Sequence, residues 1–178
     1  MRRSPREERS HYPCRLRLHG TVVFVIWYSG ERDGFVRDDA GRLLTARTQE
    51  ALTAAAGGRD IPLVNDEPAD YDFDRIRAWC AAPDGTGIDC SAFLDAWNFL
   101  DDLAGLSEGT DTAYTRLSHG ASACYDKLFW ANNLPAVTPP SEWYEPVWRA
   151  DELTEVRRVM EVGLGPLESE FQAAGVRA

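Results

Sequence analysis

The stretch "HGASACYD" is the best candidate for catalytic chemistry in this chain. It places His119 five residues before Cys124, with Asp126 close by. A thiol becomes a nucleophile when an adjacent base or a helix N-terminus favours the thiolate. Cys124 also lies four residues before Leu128 on an apolar helical stripe, which is typical of a buried, inert thiol. We therefore interpret Cys124 as a core residue, with a small hydrolase that uses Cys124 and His119 as the alternative.

Carboxylates are the second group that suggests acid–base chemistry. They occur as the neighbours Asp101 and Asp102, and as the alternating series Asp70, Asp72 and Asp74. A general acid–base pair needs one buried member with a shifted pKa, and adjacent residues on a helix point in different directions. We interpret these residues as a solvated acidic surface, and a hydrolase that uses such a pair belongs to the same alternative.

Cofactor and metal chemistry find little support in the sequence. The chain contains neither a P-loop nor a Gly-x-Gly-x-x-Gly pattern, and it has three histidines and four widely spaced cysteines. Phosphate cradles and metal sites need those residues at close, defined spacings. We predict no cofactor and no metal, and we expect the cysteines to be free thiols in a reducing compartment.

The charge distribution is strongly asymmetric. The formal net charge is −10, and only Arg75 and Arg77 oppose the many acids between Asp60 and Asp111. Binding to nucleic acid or to an anionic membrane needs a cationic surface, so neither partner is expected. A dense acidic surface steers basic partners instead, and plain solubility is the simpler alternative.

The segment "YDKLFWANNLPAVTPPSEWYEPVW", residues 125–148, contains six aromatic residues and four prolines. Asn132 and Asn133 are expected to end a helix and to fix the loop that follows. The aromatic side chains of the loop then either fold back as a lid on the core or form a binding ridge. We favour the lid for most of Trp143, Tyr144 and Trp148.

The elements that must position these residues follow from periodicity. Residues 1–13 are expected to be a disordered tail, and residues 14–178 a single α+β domain. Residues 15–45 alternate and predict an antiparallel sheet of three or four strands; four or five helices follow. Asp89 is predicted to cap the helix that contains Trp97, and Gly163 to end the helix that contains Val156. "SEGTDTAYTRLSHG" is interpreted as a loop with at most one weak turn of helix. The buried core is predicted to include Trp79, Phe93, Trp97, Leu100, Leu128 and Phe129.

No signal peptide is predicted, and the longest apolar run, "TVVFVIWY", falls short of the roughly 20 residues that span a bilayer. We therefore expect a cytoplasmic protein.

Four strings in this chain, "YDFDRIRAW", "FLDAWNFLDDL", "YDKLFWANNLPAVTP" and "YEPVW", resemble a group of small, acidic, cytoplasmic bacterial immunity proteins of toxin–immunity systems. The resemblance covers roughly residues 60–162 and the short sheet before them. It carries no catalytic residues, and it implies a protein that binds and blocks a cognate toxin domain. An acidic inhibitor suits a basic toxin. The residues predicted to contact the partner are Asp70, Asp72, Asp74, Asp101, Asp102, Asn132, Asn133, Trp143 and Tyr144.

Overall fold

The computed structural model describes residues 9–105 and 112–175. These residues fall into two compact units. The first contains the described residues up to Tyr71 and those from Glu170 onward, and the second is Asp72–Ser169. The prediction that residues 14–178 form a single domain stays a prediction.

The first unit is built on a sheet of four strands: β1 (Ser10–Leu18), β2 (Thr21–Ser29), β3 (Gly34–Phe35) and β4 (Ala69–Asp72). Their order is β3-β2-β1-β4, and β2 pairs antiparallel with both β1 and β3. His19 and Gly20 both have positive φ, 53° and 69°, as a tight two-residue hairpin turn requires. The α+β class is confirmed. The sheet as a whole is mixed, so the predicted antiparallel pairing holds among β1, β2 and β3 but not for the complete sheet.

The hydrophobic pattern of β1 and β2 explains how this sheet is covered. Leu16, Leu18, Val23 and Val25 are completely buried. Ile26 is buried in a separate cluster with Leu44, Leu52 and Ala56, and the last two of these belong to helix α1 (Gln49–Gly57). Thr48 caps that helix by accepting a hydrogen bond from the Ala51 amide, as Ncap threonines do.

Helices make up most of the second unit. They are α2 (Phe73–Ala81), α3 (Cys90–Gly105), α4 (Ala113–Gly120), α5 (Ser122–Ala131) and α6 (Ala150–Ala173), whose residues from Glu170 belong to the first unit. Asp89 Oδ1 accepts a hydrogen bond from the Ala92 amide, which confirms it as the cap of α3. With α1, six helices lie in the described ranges, against the four or five expected.

Aromatic side chains dominate the core of the second unit. Trp97 is 1% exposed. The rings of Trp79 and Phe93 pack edge to face, with their centroids 4.7 Å apart. The predicted burial of Trp79, Phe93, Trp97, Leu100 and Leu128 is confirmed. Phe129 is only half-buried, because it lies near the end of α5 and meets the exposed Trp130 edge to face.

Several boundaries differ from the sequence predictions. Residues 10–13 belong to β1, where they pair with residues 26–29, so the predicted tail extends too far. Residues 69–72, expected in a connection and the start of a helix, form β4, an edge strand held by the neighbouring strand rather than by local propensity. The described part of "SEGTDTAYTRLSHG" is mainly α4, which a Thr112–Thr115 capping box starts. Residues 107–111 of that string lie outside the described residues.

Gly163 does not end a helix, because α6 continues past it and past Pro166. A Cβ atom at position 163 would lie 2.7 Å from Leu100 Cδ1 and from Tyr114 Cε2. The glycine therefore permits close packing of α6 on α3 and α4. Buried side chains continue at helical spacing on both sides of the proline, which keeps the helix intact despite the missing N–H group: Val156, Val159, Met160, Leu164, Leu167 and Phe171.

Candidate binding site

The loop between α5 and α6 begins with the two asparagines. Asn132 caps the end of α5, and its side-chain amide donates to the Leu128 carbonyl at 2.8 Å. Asn133 has a φ of 46°, in the left-handed region that asparagine tolerates better than most residues. This conformation turns the chain out of the helix, so the predicted helix stop is confirmed.

Asn133 then holds the far side of the loop. Its Nδ2 donates to the Tyr144 carbonyl at 2.9 Å, and its Oδ1 accepts from the Tyr144 amide at 2.7 Å. The same Nδ2 also donates to the Ala131 carbonyl at 3.0 Å. One side-chain amide thus pairs with a backbone residue eleven positions away, and fixes the chain next to Trp143. We call this pair of contacts the asparagine clamp.

Lys127 fixes the end of the loop. Its Nζ donates to the Val147 carbonyl at 2.9 Å and to both carboxylate oxygens of Glu152 at 2.8 and 2.6 Å. It also lies 5.5 Å from the centroid of the Trp148 ring, a cation–π contact. Glu152 is buried and accepts from the Arg149 amide at the start of α6. We call this group the lysine clamp.

The ionisation of Glu152 depends on that clamp. The hydrogen bond from Lys127 is the main cause that lowers the pKa of the Glu152 carboxyl, with the Arg149 amide and the charges of Lys127 and Arg149 as further causes. Burial acts in the opposite direction. The carboxylate form is therefore the one that the folded loop end requires.

The end of α5 and the loop that follows it expose apolar side chains. Trp143 is 80% exposed and Val147 is 81% exposed, and Trp130 and Tyr144 are exposed to a smaller extent. The lid interpretation is wrong for Trp143 and Tyr144, because both side chains are exposed. It holds for Trp148, which is half-buried and lies so close to Gly85 that a Cβ atom there would come within 3.1 Å of Trp148 Cβ.

The exposed face contains an open groove with a volume of about 740 Å³. It is lined by Trp130, Val137, Thr138, Pro139, Ser141, Glu142, Trp143 and Tyr144. The hydroxyl oxygen of Thr138 is buried and has no hydrogen-bond partner among the described residues. The residues that line the groove therefore combine three aromatic rings with the Glu142 carboxylate and the Ser141 hydroxyl.

Several predicted acidic contact residues have structural partners. In the second unit, Asp72 caps α2 by accepting from the Arg75 amide, and Asp101 accepts from Ser118 Oγ at 2.8 Å. Ser118 Oγ in turn accepts from the buried indole N–H of Trp97 at 2.9 Å. Asp101 is therefore part of a hydrogen-bond chain that ends in the core, and it is half-buried rather than fully solvated.

The remaining three predicted acids differ in exposure. Asp74 and Asp102 are half-buried, and both make interactions within the protein. Asp70, in the first unit, is exposed and forms an ion pair with Arg15 at 3.4 Å. The role of these acids in partner binding stays a prediction.

The catalytic candidates are far from an activated nucleophile. Burial is the main cause that raises the pKa of the Cys124 thiol to about 12, and the hydrogen bond to Glu155 and the charges of Glu155 and Glu152 add to it. The thiol donates to Glu155 Oε2 at 3.4 Å, whereas His119 is exposed at the end of α4. A thiol held in this way stays protonated at neutral pH.

Sequence reasoning missed Lys127, Glu152, Trp130 and Glu142 as parts of this surface. Lys127 and Glu152 resemble ordinary surface charges on helices. No local pattern in the sequence indicates that these two residues, 25 positions apart, are hydrogen-bonded to each other. A signal was present for Trp130, which follows a buried helical stripe at the very end of α5 and so has no further turn to cover it.

The described part of the chain contains neither a metal-binding cluster nor a membrane-spanning helix. Within residues 9–105 and 112–175, no group of three or more His, Cys, Asp and Glu side chains could hold a metal ion. No helix there has both the length and the apolar composition needed to cross a membrane. No protein-family model matches the chain, and no curated protein and no solved structure matches it either.

Proposed function

We propose that this protein is a non-enzymatic binding protein of the immunity type, which binds and neutralises a cognate, basic bacterial toxin domain in the cytoplasm. The observation that carries the proposal is the position of Trp143, which is 80% exposed on a loop fixed at both ends by polar clamps. An exposed tryptophan on a fixed loop is typical of an interface anchor.

The clamps matter because binding is opposed by the ordering of flexible segments. The side chain of Asn133 and the ammonium group of Lys127 bond to loop backbone, and they hold that backbone before any partner arrives. The loop also contains prolines, which restrict the unbound state further. A partner therefore meets the aromatic face in a conformation ready for contact.

The net charge of −10 supports a basic partner. Oppositely charged surfaces accelerate association and suppress binding to nucleic acid and other anions. The resemblance of four strings in the chain to immunity proteins points in the same direction. A small hydrolase that uses Cys124 with His119, or a carboxylate pair, is the alternative, and the raised pKa of the Cys124 thiol weighs against its first form.

A growth experiment tests the proposal. Where a large secreted protein is encoded next to this gene, its C-terminal domain is expressed under an inducible promoter, with or without this chain. We expect growth arrest with the domain alone and full growth with both proteins. An unrelated acidic protein of similar size and charge serves as the control and should not restore growth. Continued arrest in the presence of this chain would contradict the proposal.

A further inference from the structure

The groove beside Trp143 has a composition that selects the chemistry of its occupant. Three aromatic residues line it, Trp130, Trp143 and Tyr144. The faces of aromatic rings carry partial negative charge and attract cations that approach them. An open groove with several such rings is therefore suited to a flat or compact cation.

The polar groups of the groove point to the same class of occupant. Glu142 contributes a carboxylate, and Ser141 contributes a hydroxyl. None of the described residues that line the groove carries a positive charge. An anionic occupant would meet the Glu142 carboxylate unopposed, and a purely apolar one would leave these oxygen atoms unused.

We propose that the groove formed by Trp130, Trp143, Tyr144 and Glu142 receives an arginine side chain of the partner protein. This inference deepens the proposed function and rests on it, because it names the chemical group of a basic toxin domain that this face recognises. The planar guanidinium stacks on aromatic rings and carries five N–H donors, whereas the lysine ammonium is a compact, strongly hydrated point charge. Glu142 supplies the opposite charge at the edge of the groove.

A small probe tests the site without the toxin. N-acetyl-L-arginine methylamide is titrated into the ¹⁵N-labelled protein, and N-acetyl-L-citrulline methylamide is titrated as its uncharged isostere. We expect saturable shifts of the indole N–H resonances of Trp130 and Trp143 with the arginine probe, and at least about threefold weaker binding of citrulline. Equal binding of both probes, or no shift of these two resonances, would overturn the proposal.

Two substitutions and a matched control locate the site. Trp143→Ala should weaken the arginine probe at least about threefold, and Glu142→Gln about twofold. Val64→Ala should leave its binding unchanged, because Val64 is also an exposed apolar residue, at 58%, but does not line the groove. Wild-type affinity in folded Trp143→Ala would overturn the proposal.

The probe and the growth experiment fail separately. Growth rescue without arginine binding would refute the groove inference and leave the immunity function standing. Arginine binding without growth rescue would support the groove and contradict the immunity function.

Discussion

The side-chain amide of Asn133 pairs with the backbone of Tyr144 through two hydrogen bonds, at 2.9 and 2.7 Å. Donor and acceptor are arranged as in a backbone ladder, but one partner is a side chain that leaves a helix end in the left-handed conformation. Trp143 immediately precedes Tyr144 in the chain. The contact therefore also fixes the backbone from which the Trp143 side chain extends into solvent. A local feature of α5 thus sets the geometry of a loop residue ten positions further on.

Removal of the Asn133 side chain should release the loop without unfolding the protein. Asn133→Gly keeps the positive φ accessible and deletes both hydrogen bonds. We expect the Tyr144 amide to exchange with deuterium roughly tenfold faster, since the bonds contribute about 1–2 kcal/mol locally. Asn133→Asp should fall in between, because its carboxylate still accepts from Tyr144 but cannot donate.

Asn132→Ala is the matched control for this experiment. Asn132 bonds to the Leu128 carbonyl and not to Tyr144, so its removal should leave exchange at Tyr144 unchanged. Unchanged exchange in Asn133→Gly would show that the clamp does not hold the loop.

Gly163→Ala should destabilise the protein although alanine is the better helix former. Its Cβ atom would lie 2.7 Å from Leu100 and Tyr114, and such overpacking costs about 1–3 kcal/mol. Gly120→Ala in α4 is the control, because a Cβ atom there meets nothing within 4 Å. Chemical denaturation should show a lower free energy of unfolding for Gly163→Ala than for the wild-type protein, and an unchanged one for Gly120→Ala. A stabilised Gly163→Ala protein would mean that α6 packs less closely on α3.

The Lys127–Glu152 pair should make stability depend on pH. The pKa of Glu152 is lower in the folded protein than its ordinary value. Its contribution is therefore complete above the ordinary pKa and is lost as the pH falls through the lower, folded value. We expect Glu152→Gln to cost about 1–3 kcal/mol at pH 7, and progressively less as the medium is acidified below the ordinary pKa.

Glu161→Gln is the surface control for this pair. Glu161 forms an ion pair with Arg157 at 2.8 Å, one turn away on α6, with both side chains nearly half exposed. Such a pair contributes about 0.3–0.5 kcal/mol, so the variant should lose little stability at any pH. Equal effects of Glu152→Gln and Glu161→Gln in urea denaturation would contradict the role given to the lysine clamp.

Sequence periodicity was sufficient to predict which residues of the helices are buried. It was insufficient to predict features that depend on contacts between residues far apart in the sequence. Trp97 and Leu100 repeat at helical spacing, so their burial was predictable. Gly163 resembled a helix stop in the sequence. Glycine is required there because Leu100 of α3 and Tyr114 of α4 leave no room for a Cβ atom. Likewise, β4 forms because it pairs with β1, which lies about 50 residues earlier in the chain. The four residues of β4 give no local indication of this pairing.

The candidate site was predictable in part for the same reason. The aromatic content of residues 125–148 identified the segment, and the asparagines identified its start. Which tryptophan is packed and which is exposed depends on Lys127 and Gly85, which contact Trp148 and not its neighbour in the pattern, Trp143. The sequence alone could not distinguish the packed Trp148 from the exposed Trp143, because the difference arises from three-dimensional contacts.

A cysteine mechanism can be tested directly. The Cys124 thiol, with its pKa raised to about 12, should resist iodoacetamide at pH 8 in the folded protein. Cys90, which is half-exposed, should react first and serves as the internal control. Folded Cys124→Ala and His119→Ala proteins should retain toxin neutralisation. Rapid labelling of Cys124, or loss of neutralisation in either variant, would support the hydrolase alternative.

We propose that the fixed aromatic loop, aided by the acidic surface, binds a basic toxin domain. Stopped-flow association of this protein with the toxin domain that it neutralises in the growth experiment, measured at low and high salt, tests this proposal. We expect association to slow markedly with salt. We expect dissociation at least about tenfold faster for Trp143→Ala, and an unchanged rate for the exposed apolar control Val64→Ala. Association that is indifferent to salt, together with wild-type dissociation of a folded Trp143→Ala protein, would contradict the claim.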